Sequence, residues 1–408
     1  MRSFPKYNWS STTPDNWVLK IVYVPENNTF ITSNSNGFLV GYLVENLSDE
    51  PIFKVKAHES SINDIQRIDA NTLASCSTDG IKIWDLRSPT KPPIHLLNAK
   101  NSNFLSLAYS DNMLAGGTEL LGVDAELHLW DLRNPEQVVK SFIDSHHDDI
   151  THLQFHPTIS NYLMSGSTDG YVIIHDLNQE EEEDCLHQVI NYASVHSCKF
   201  LQDTRISVLS HMETLAFCEL NNTDYINPEE PDPTDLGDVR QLWPDCEYVV
   251  DVNPAGYVSY GANSQQKLTL CPFNSKTEKF QIDNPVWFPL AHGEEVVRDV
   301  FVIPNTKSAL TCGEDGNIKL WEMPFSLDTS EKASDEDVSM SDDEPKEKRE
   351  KKEKKEKKEK KEKKEKKEKK DKKEKKEKKD KKDKKDKKEK KEKSKKDKKK
   401  KDVRFKPY

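Results

Sequence analysis

STDGIKIWDL, residues 77 to 86, sets an Asp-Gly turn before a short run in which Ile81 and Ile83 flank Lys82 and Trp84-Asp85 follows. A turn of this kind feeding alternating apolar residues marks a hairpin whose second strand buries one face. The unit returns as VDAELHLWDL (123 to 132), STDGYVIIHDL (167 to 177) and GEDGNIKLWEM (313 to 323). Fainter copies fill the intervals. SNSNGFLVGYL (33 to 43) turns on Asn36-Gly37, whereas ISVLSHMETLAFCEL (206 to 220) and YVSYGANSQQKLTLCPF (257 to 273) keep only the alternation. The repeated strands end near Tyr42, Trp84, Trp130, His175, Cys218, Cys271 and Trp321, at intervals of 42 to 53 residues. Seven units of that period predict an all-β, seven-bladed propeller, because one such repeat cannot bury its apolar faces without neighbours.

Ahead of three units stands a histidine with an aliphatic residue four positions on: His58 with Ile62, His146 with Ile150, His292 with Val296. Taken with the Trp-Asp strand ends, this pattern resembles the WD40 family, which implies four-stranded blades around a central channel. AGGTELLGVDAELHLWDLR (115 to 133), SHHDDITHLQFHPTISNYLMSGSTDGYVIIHDLNQEEEED (145 to 184) and DLGDVRQLW (235 to 243) resemble the WD repeat-containing protein 89 family more closely. The WD40 resemblance implies a structural hydrogen-bonded set of His58, Asp79 and Trp84 in blade two, and of His292, Asp315 and Trp321 in blade seven. In blade two the Asp-to-Trp interval is one residue shorter, a departure that bears on whether its bonds close. After Trp321 the chain turns acidic and Ser-rich, leaving the last blade without an outer strand of its own. FPKYNW (4 to 9) is the expected donor of that strand, ahead of the terminal VRFKPY (403 to 408), since pairing the two ends closes the ring and removes exposed edges.

The first twelve residues hold no apolar run of signal-peptide type, and no later stretch has the roughly 18 apolar residues of a membrane span. A soluble, intracellular protein with no membrane partner is expected. Cysteines at 76, 185, 198, 218, 246, 271 and 312 are odd in number and lack any Cys-x-x-Cys, so reduced core thiols are expected. No phosphate-binding loop, nucleophile elbow or His-Glu-x-x-His motif is present, which points away from enzymatic function and from a cofactor or metal. His152 and His156 share a strand face, but without a third ligand at suitable spacing they read as structural.

Charge divides the chain. Residues 1 to 345 hold 22 Lys+Arg against 54 Asp+Glu, and residues 346 to 408 hold 40 against 18. The expected division is a propeller over 1–325, an acidic Ser-rich linker over 326–345, a Lys-Lys-Glu/Asp tail over 346–402 and a terminal peptide over 403–408. Glu59, Asp148, Asp149, Glu294 and Glu295 follow the blade histidines where the chain approaches each innermost strand, and the segment from Glu219 to Asp245 adds eight acids against one Arg. These acids are candidates for holding a basic protein or peptide, because a single-sign field steers oppositely charged partners. Arg87 and Arg133 close consecutive Trp-Asp-Leu-Arg boxes that resemble the adaptor-facing boxes of cullin-4 ubiquitin-ligase substrate receptors. A simpler role for each is an ion pair with a neighbouring blade's carboxylate.

The tail has no apolar residue in its repeat, so a fluctuating helix or disorder is expected there. Its charge density suits nuclear import and loose RNA contact through phosphates. It resembles tails of fungal nucleolar proteins concerned with ribosome and small-nucleolar-RNA biology, implying a nuclear or nucleolar location with a cytoplasmic pool. Ser334, Ser339 and Ser341 each have an acid three positions on, the pattern an acidophilic kinase of the casein kinase 2 type prefers. The resulting expectation is a monomeric interaction scaffold or chaperone within a larger assembly. Its rivals are a ubiquitin-ligase substrate receptor and a propeller whose own tail covers its acidic face.

Overall fold

A computed structural model describes residues 1–10, 15–223 and 232–327. The chain divides into two units, Met1–Ala333 and Ser334–Tyr408, and the second lies outside the described residues together with the Lys-rich repeat, VRFKPY and the three candidate serines. The first unit is the expected propeller: seven antiparallel sheets, six of four strands and one of five. The innermost strands are Val18–Val24, Asp64–Arg67, Phe104–Ser110, Ile150–Phe155, Val195–Gln202, Tyr248–Asn253 and Val297–Val302. The sheets step outward in chain order, save that blade seven takes its outer strand from the N-terminus, and the strands read from the repeat, such as Gly80–Asp85 and Asn317–Glu322, are the third of each blade.

Alternation along these strands explains the stacking. In Val24, Ile31, Leu39, Ile62, Ile65, Leu73 and Trp84, side chains of blades one and two form one buried cluster, and a comparable cluster fills each other blade interface. Burying one such aliphatic or aromatic side chain contributes about 1.5–3 kcal/mol, so the inter-blade layers dominate stability. All seven cysteines are buried and unbridged among them. No helix of the described residues is long and apolar enough to cross a membrane.

The N-terminal strand closes the ring. Phe4–Ser10 pairs antiparallel with Asn317–Glu322 as the outer strand of blade seven. Trp9 anchors it: the indole is 1% exposed, lies edge-on to Phe30 of blade one at 5.0 Å, and donates to the Ser48 carbonyl at 2.9 Å. Met1–Ser3 runs on to blade six, where Ser3 N donates to the Trp287 carbonyl and Trp287 N to that of Met1.

Two acidic segments have positions that their composition does not reveal. Within Glu219 to Asp245, the strand Thr234–Asp238 carries the chain from one end of the propeller to the other. Glu219 therefore lies at one end beside Arg205, while Asp238 and Asp245 lie at the other, where the innermost strands begin, and pair with Arg240 and Lys267. This corrects the expectation that the whole segment adds to one mouth. In the run Glu180–Asp184, Glu182 accepts from Ile143 N at 2.9 Å, Asp144 N at 3.0 Å and Ser145 Oγ at 2.6 Å. It thereby caps the exposed edge of Val138–His146, a strand otherwise open to pairing with another chain.

Candidate functional site

Each innermost strand begins at what we term the upper rim, where the preceding outer strand ends and the turn between second and third strands also lies. The rim is held by a four-member relay. His58 Nδ1 bonds the Asp79 carboxylate, Ser75 Oγ bridges His58 Nε2 at 2.7 Å, and Trp84 Nε1 donates to Ser75 Oγ at 2.9 Å. Blade seven repeats it with Thr311 as the hub: His292 to Asp315 at 2.6 Å, to Thr311 at 2.8 Å, and Trp321 to Thr311 at 3.0 Å. Burial lowers the pKa of both histidines against the opposing pull of their aspartates, so each ring is neutral and the hydroxyl donates to Nε2. The Asp79 and Asp315 carboxyls lie below their ordinary values: burial pushes both upward, and hydrogen bonds led by Lys82 at Asp79 and by His292 at Asp315 outweigh it.

Blade two closes this relay despite its shorter interval. There the turn is tighter, with Ser77 paired directly to Gly80, and Gly80 takes φ of +106°. A Cβ at that glycine would meet Asn98 Oδ1 at 2.0 Å, so the short turn depends on glycine. Blade four holds a third relay that sequence reasoning did not assemble: His146 to Asp169 at 2.9 Å, His146 to Ser165 at 2.7 Å, and Ser165 to His175 at 3.0 Å in place of an indole. The signal was present as a hydroxyl four residues before each turn aspartate, in Ser75, Ser165 and Thr311.

Above these relays stand the candidate acids. Glu59, Glu294 and Glu295 are exposed, and Asp148 and Asp149 are half-buried. The connecting segments 57–63, 147–149 and 290–296 contain no Lys or Arg. Asp149 Oδ1 also accepts from Leu120 N at 2.8 Å, and His147 meets Asp124 at 2.8 Å, which fixes the hairpin tip 119–124 beside the acids. That tip holds out Leu121 and Val123, 61% and 78% exposed.

Cations reach two of the connecting segments from the flanking strands: Lys56 Nζ donates to the Glu59 carbonyl at 3.2 Å, Lys82 Nζ to that of Ala57 at 2.8 Å and Lys319 Nζ to that of Leu290 at 3.3 Å. At the lower rim the turns themselves interleave acids with cations such as Arg67, Lys91, Arg205 and Lys307. Arg87 and Arg133 lie there on consecutive blades, each forked onto the aspartate of its own Trp-Asp pair: Arg87 to Asp85 at 2.9 Å and Arg133 to Asp131 at 2.8 Å. The partner is thus local and not a neighbouring blade's carboxylate. These hydrogen bonds hold both aspartates at a pKa of about 2.

Between the rims runs a channel of about 670 Å³. Its wall carries one polar link from every blade to the next. Asp299 accepts from Ile21 N (2.8 Å), Lys20 pairs with Asp64 (3.0 Å), and Asp64 accepts from Leu107 N (2.9 Å). Ser106 donates to the Ile150 carbonyl (2.8 Å) and Gln154 accepts from Phe200 N (2.8 Å). Lys199 pairs with Asp251, and Tyr248 Oη accepts from Val297 N (2.9 Å). The channel's charges are therefore engaged in holding the ring. His152 faces the channel 3.8 Å from the buried Cys198 thiol, whereas His156 is buried and bonded to the Asp203 carbonyl at 2.6 Å. Among the described residues no group of three or more His, Cys, Asp or Glu could hold a metal ion.

A model of the WD domain, G-beta repeat, matches residues 49–85, 137–176 and 284–322. These are the three stretches that contain the complete relays. An uncharacterized WD repeat-containing protein of Saccharomyces cerevisiae is 43% identical over 329 residues, covering 79% of this chain and 82% of that one. The WD repeat-containing protein 89 homolog of Dictyostelium discoideum is 28% identical over 306 residues, 72% of this chain and 81% of its own. The nuclear pore complex protein nup43 of Dictyostelium discoideum is 24% identical over 161 residues, 38% of this chain and 37% of its own. With its seven blades and that coverage, the chain belongs to the family of WD repeat-containing proteins.

Proposed function

We propose that this propeller is a non-enzymatic scaffold or chaperone that holds a Lys/Arg-rich segment of a partner protein on its upper rim, in the nucleus and in connection with ribosome assembly. The observation that carries this reading is the set of five acids in three connecting segments free of Lys and Arg, beside an apolar hairpin tip. Acids provide the attraction and Leu121 and Val123 an area to bury, the combination from which interfaces draw both capture rate and residence. A nuclear setting is supported by the Lys-rich tail and, at a distance, by the nuclear pore relative. The basic tail supplies localisation and RNA attachment in this reading.

Substituting Glu59, Glu294 and Glu295 by Lys, and Asp148 and Asp149 by Asn to keep their acceptor oxygens, tests the rim. The variant should lose basic partners in affinity purification followed by mass spectrometry, while each exposed change moves stability by under about 0.5 kcal/mol. A partner profile identical to the parent's would show that the rim is not the binding face. Adaptor docking through Arg87 and Arg133 keeps one supporting observation, since both guanidinium groups are largely exposed on adjacent blades at the lower rim.

A further inference from the structure

The seam where the ring closes leaves a groove of about 420 Å³ between blade six and the outer strands of blade seven. Its charge is the reverse of its surroundings. Arg2, Lys6 and Lys319 line it, with no Asp or Glu among the lining residues, in a segment of chain that carries 54 acids against 22 cations. Pro5 and Leu290 form apolar walls and the buried Trp321 lies at the base, whereas the Tyr7 ring turns to the opposite face of the sheet, packs on Trp9 and bonds Asp49.

Two departures from regular backbone shape this groove. In the closing strand, Pro5 pairs with Trp321 and Tyr7 with Leu320, so Lys6 is the extra residue of a β-bulge. Bulges re-aim a side chain out of the regular alternation. Across the groove, Leu290 takes φ of +54° and is 64% exposed, an unusual combination of left-handed backbone and solvated leucine. Its carbonyl accepts from Lys319 Nζ at 3.3 Å. Outside the groove Lys6 meets Glu322 at 3.4 Å, a pair exposed on both sides that contributes little to stability.

We infer that this seam groove binds a short acidic peptide segment with one apolar side chain, the acids on Arg2, Lys6 and Lys319 and the apolar group between Pro5 and Leu290. A peptide is favoured over nucleic acid by the field around the groove. A polyphosphate strand longer than the groove would run over a surface of its own sign, whereas a short acidic segment ends where the cations end. The site adjoins the upper rim at Leu290, the first residue of the segment 290–296, and takes the opposite charge.

The experiment uses the full chain and an acidic peptide, Asp-Glu-X-Glu-Asp, with a diazirine-bearing leucine at X, cross-linked by light and mapped by mass spectrometry. Because the Lys-rich tail also attracts acids, position is the readout. Adducts are expected on the stretches 4–8 and 289–290, and their yield should fall about tenfold in the Arg2→Ser, Lys6→Ser variant, as loss of two charge-assisted contacts implies. Glu322→Ala should raise the same adducts by freeing Lys6. An oligothymidylate competitor should remove adducts from 346–402 and leave those of the groove. Adducts confined to the tail, groove adducts undiminished in the double variant, or equal displacement by the oligonucleotide would each overturn the proposal.

Discussion

At the scale of single residues, the relays behave as closed polar units in an otherwise apolar wall. Ser75 is the common partner of His58 and Trp84, so Ser75→Ala strands a ring nitrogen and an indole N–H together. A loss of about 2 kcal/mol or more in urea unfolding is expected, because buried groups left unpaired keep their full desolvation cost. Ser75→Thr, the residue type blade seven uses at this hub, should recover most of it. His175 differs from its Trp counterparts in carrying a second nitrogen, and Nδ1 is buried without a hydrogen-bond partner. Burial, then the neighbouring His146 and Lys140, lowers its pKa to about 3. The folded protein therefore keeps this ring neutral while the unfolded chain takes up a proton below about pH 6.5, and stability falls as pH drops from there toward the folded value. His175→Phe should match the parent near neutral pH and exceed it by about 2 kcal/mol near pH 5 in thermal melts. A parallel loss of stability in both proteins on acidification would show that His175 does not titrate on unfolding.

At the scale of elements, the outer strand of blade seven is the least local part of the fold. Trp9 lies more than 300 residues from the strand it pairs with, and its ring packs on Phe30 and Tyr42 of blade one. Trp9→Ala removes a fully buried aromatic, and about 3–5 kcal/mol of destabilisation is expected. Hydrogen exchange should show the loss first in blades one and seven, with blades three to five protected until global unfolding. Uniform loss of protection would mean that the ring opens as one cooperative unit. The hairpin tip 119–124 and the Glu182 cap are also elements whose placement depends on a neighbouring blade: one is tied by Asp149, the other ties down Ile143 and Asp144. Nothing in the composition of either segment separates it from solvated loop.

For the whole molecule, the relevant quantity is the separation of charge, a net acidic propeller chain followed by a net basic repeat. Deleting 346–402 should lower nuclear enrichment in fluorescence imaging and RNA retention in filter binding, and raising salt should mimic the second effect as counterion release weakens. A shortened protein that stays equally nuclear and equally RNA-bound would assign both properties to the propeller. The upper rim and the seam groove would then be the surfaces to alter next.

The amino-acid sequence by itself determined the repeat, the number of blades and the third strand of each, and it favoured FPKYNW over VRFKPY as donor of the closing strand without deciding between them. Those features follow from short-range chemistry: turn dipeptides, period-two alternation, and the missing edge at the end of blade seven. It also carried the hydroxyl spacing of the relays, legible once Ser75, Ser165 and Thr311 are aligned on their turn aspartates. Only the tertiary structure decided which rim each charge occupies. The segment from Glu219 to Asp245 is uniformly acidic along the chain, yet the strand Thr234–Asp238 divides it between opposite ends. Arg87 and Arg133 turn back on their own aspartates, the channel's Lys and Asp residues are taken up in links between blades, and Arg2, Lys6 and Lys319 converge from the first and last strands of the propeller. Charge has no periodicity to betray its direction, and its partners are set by ring closure, which brings together residues that no local pattern connects.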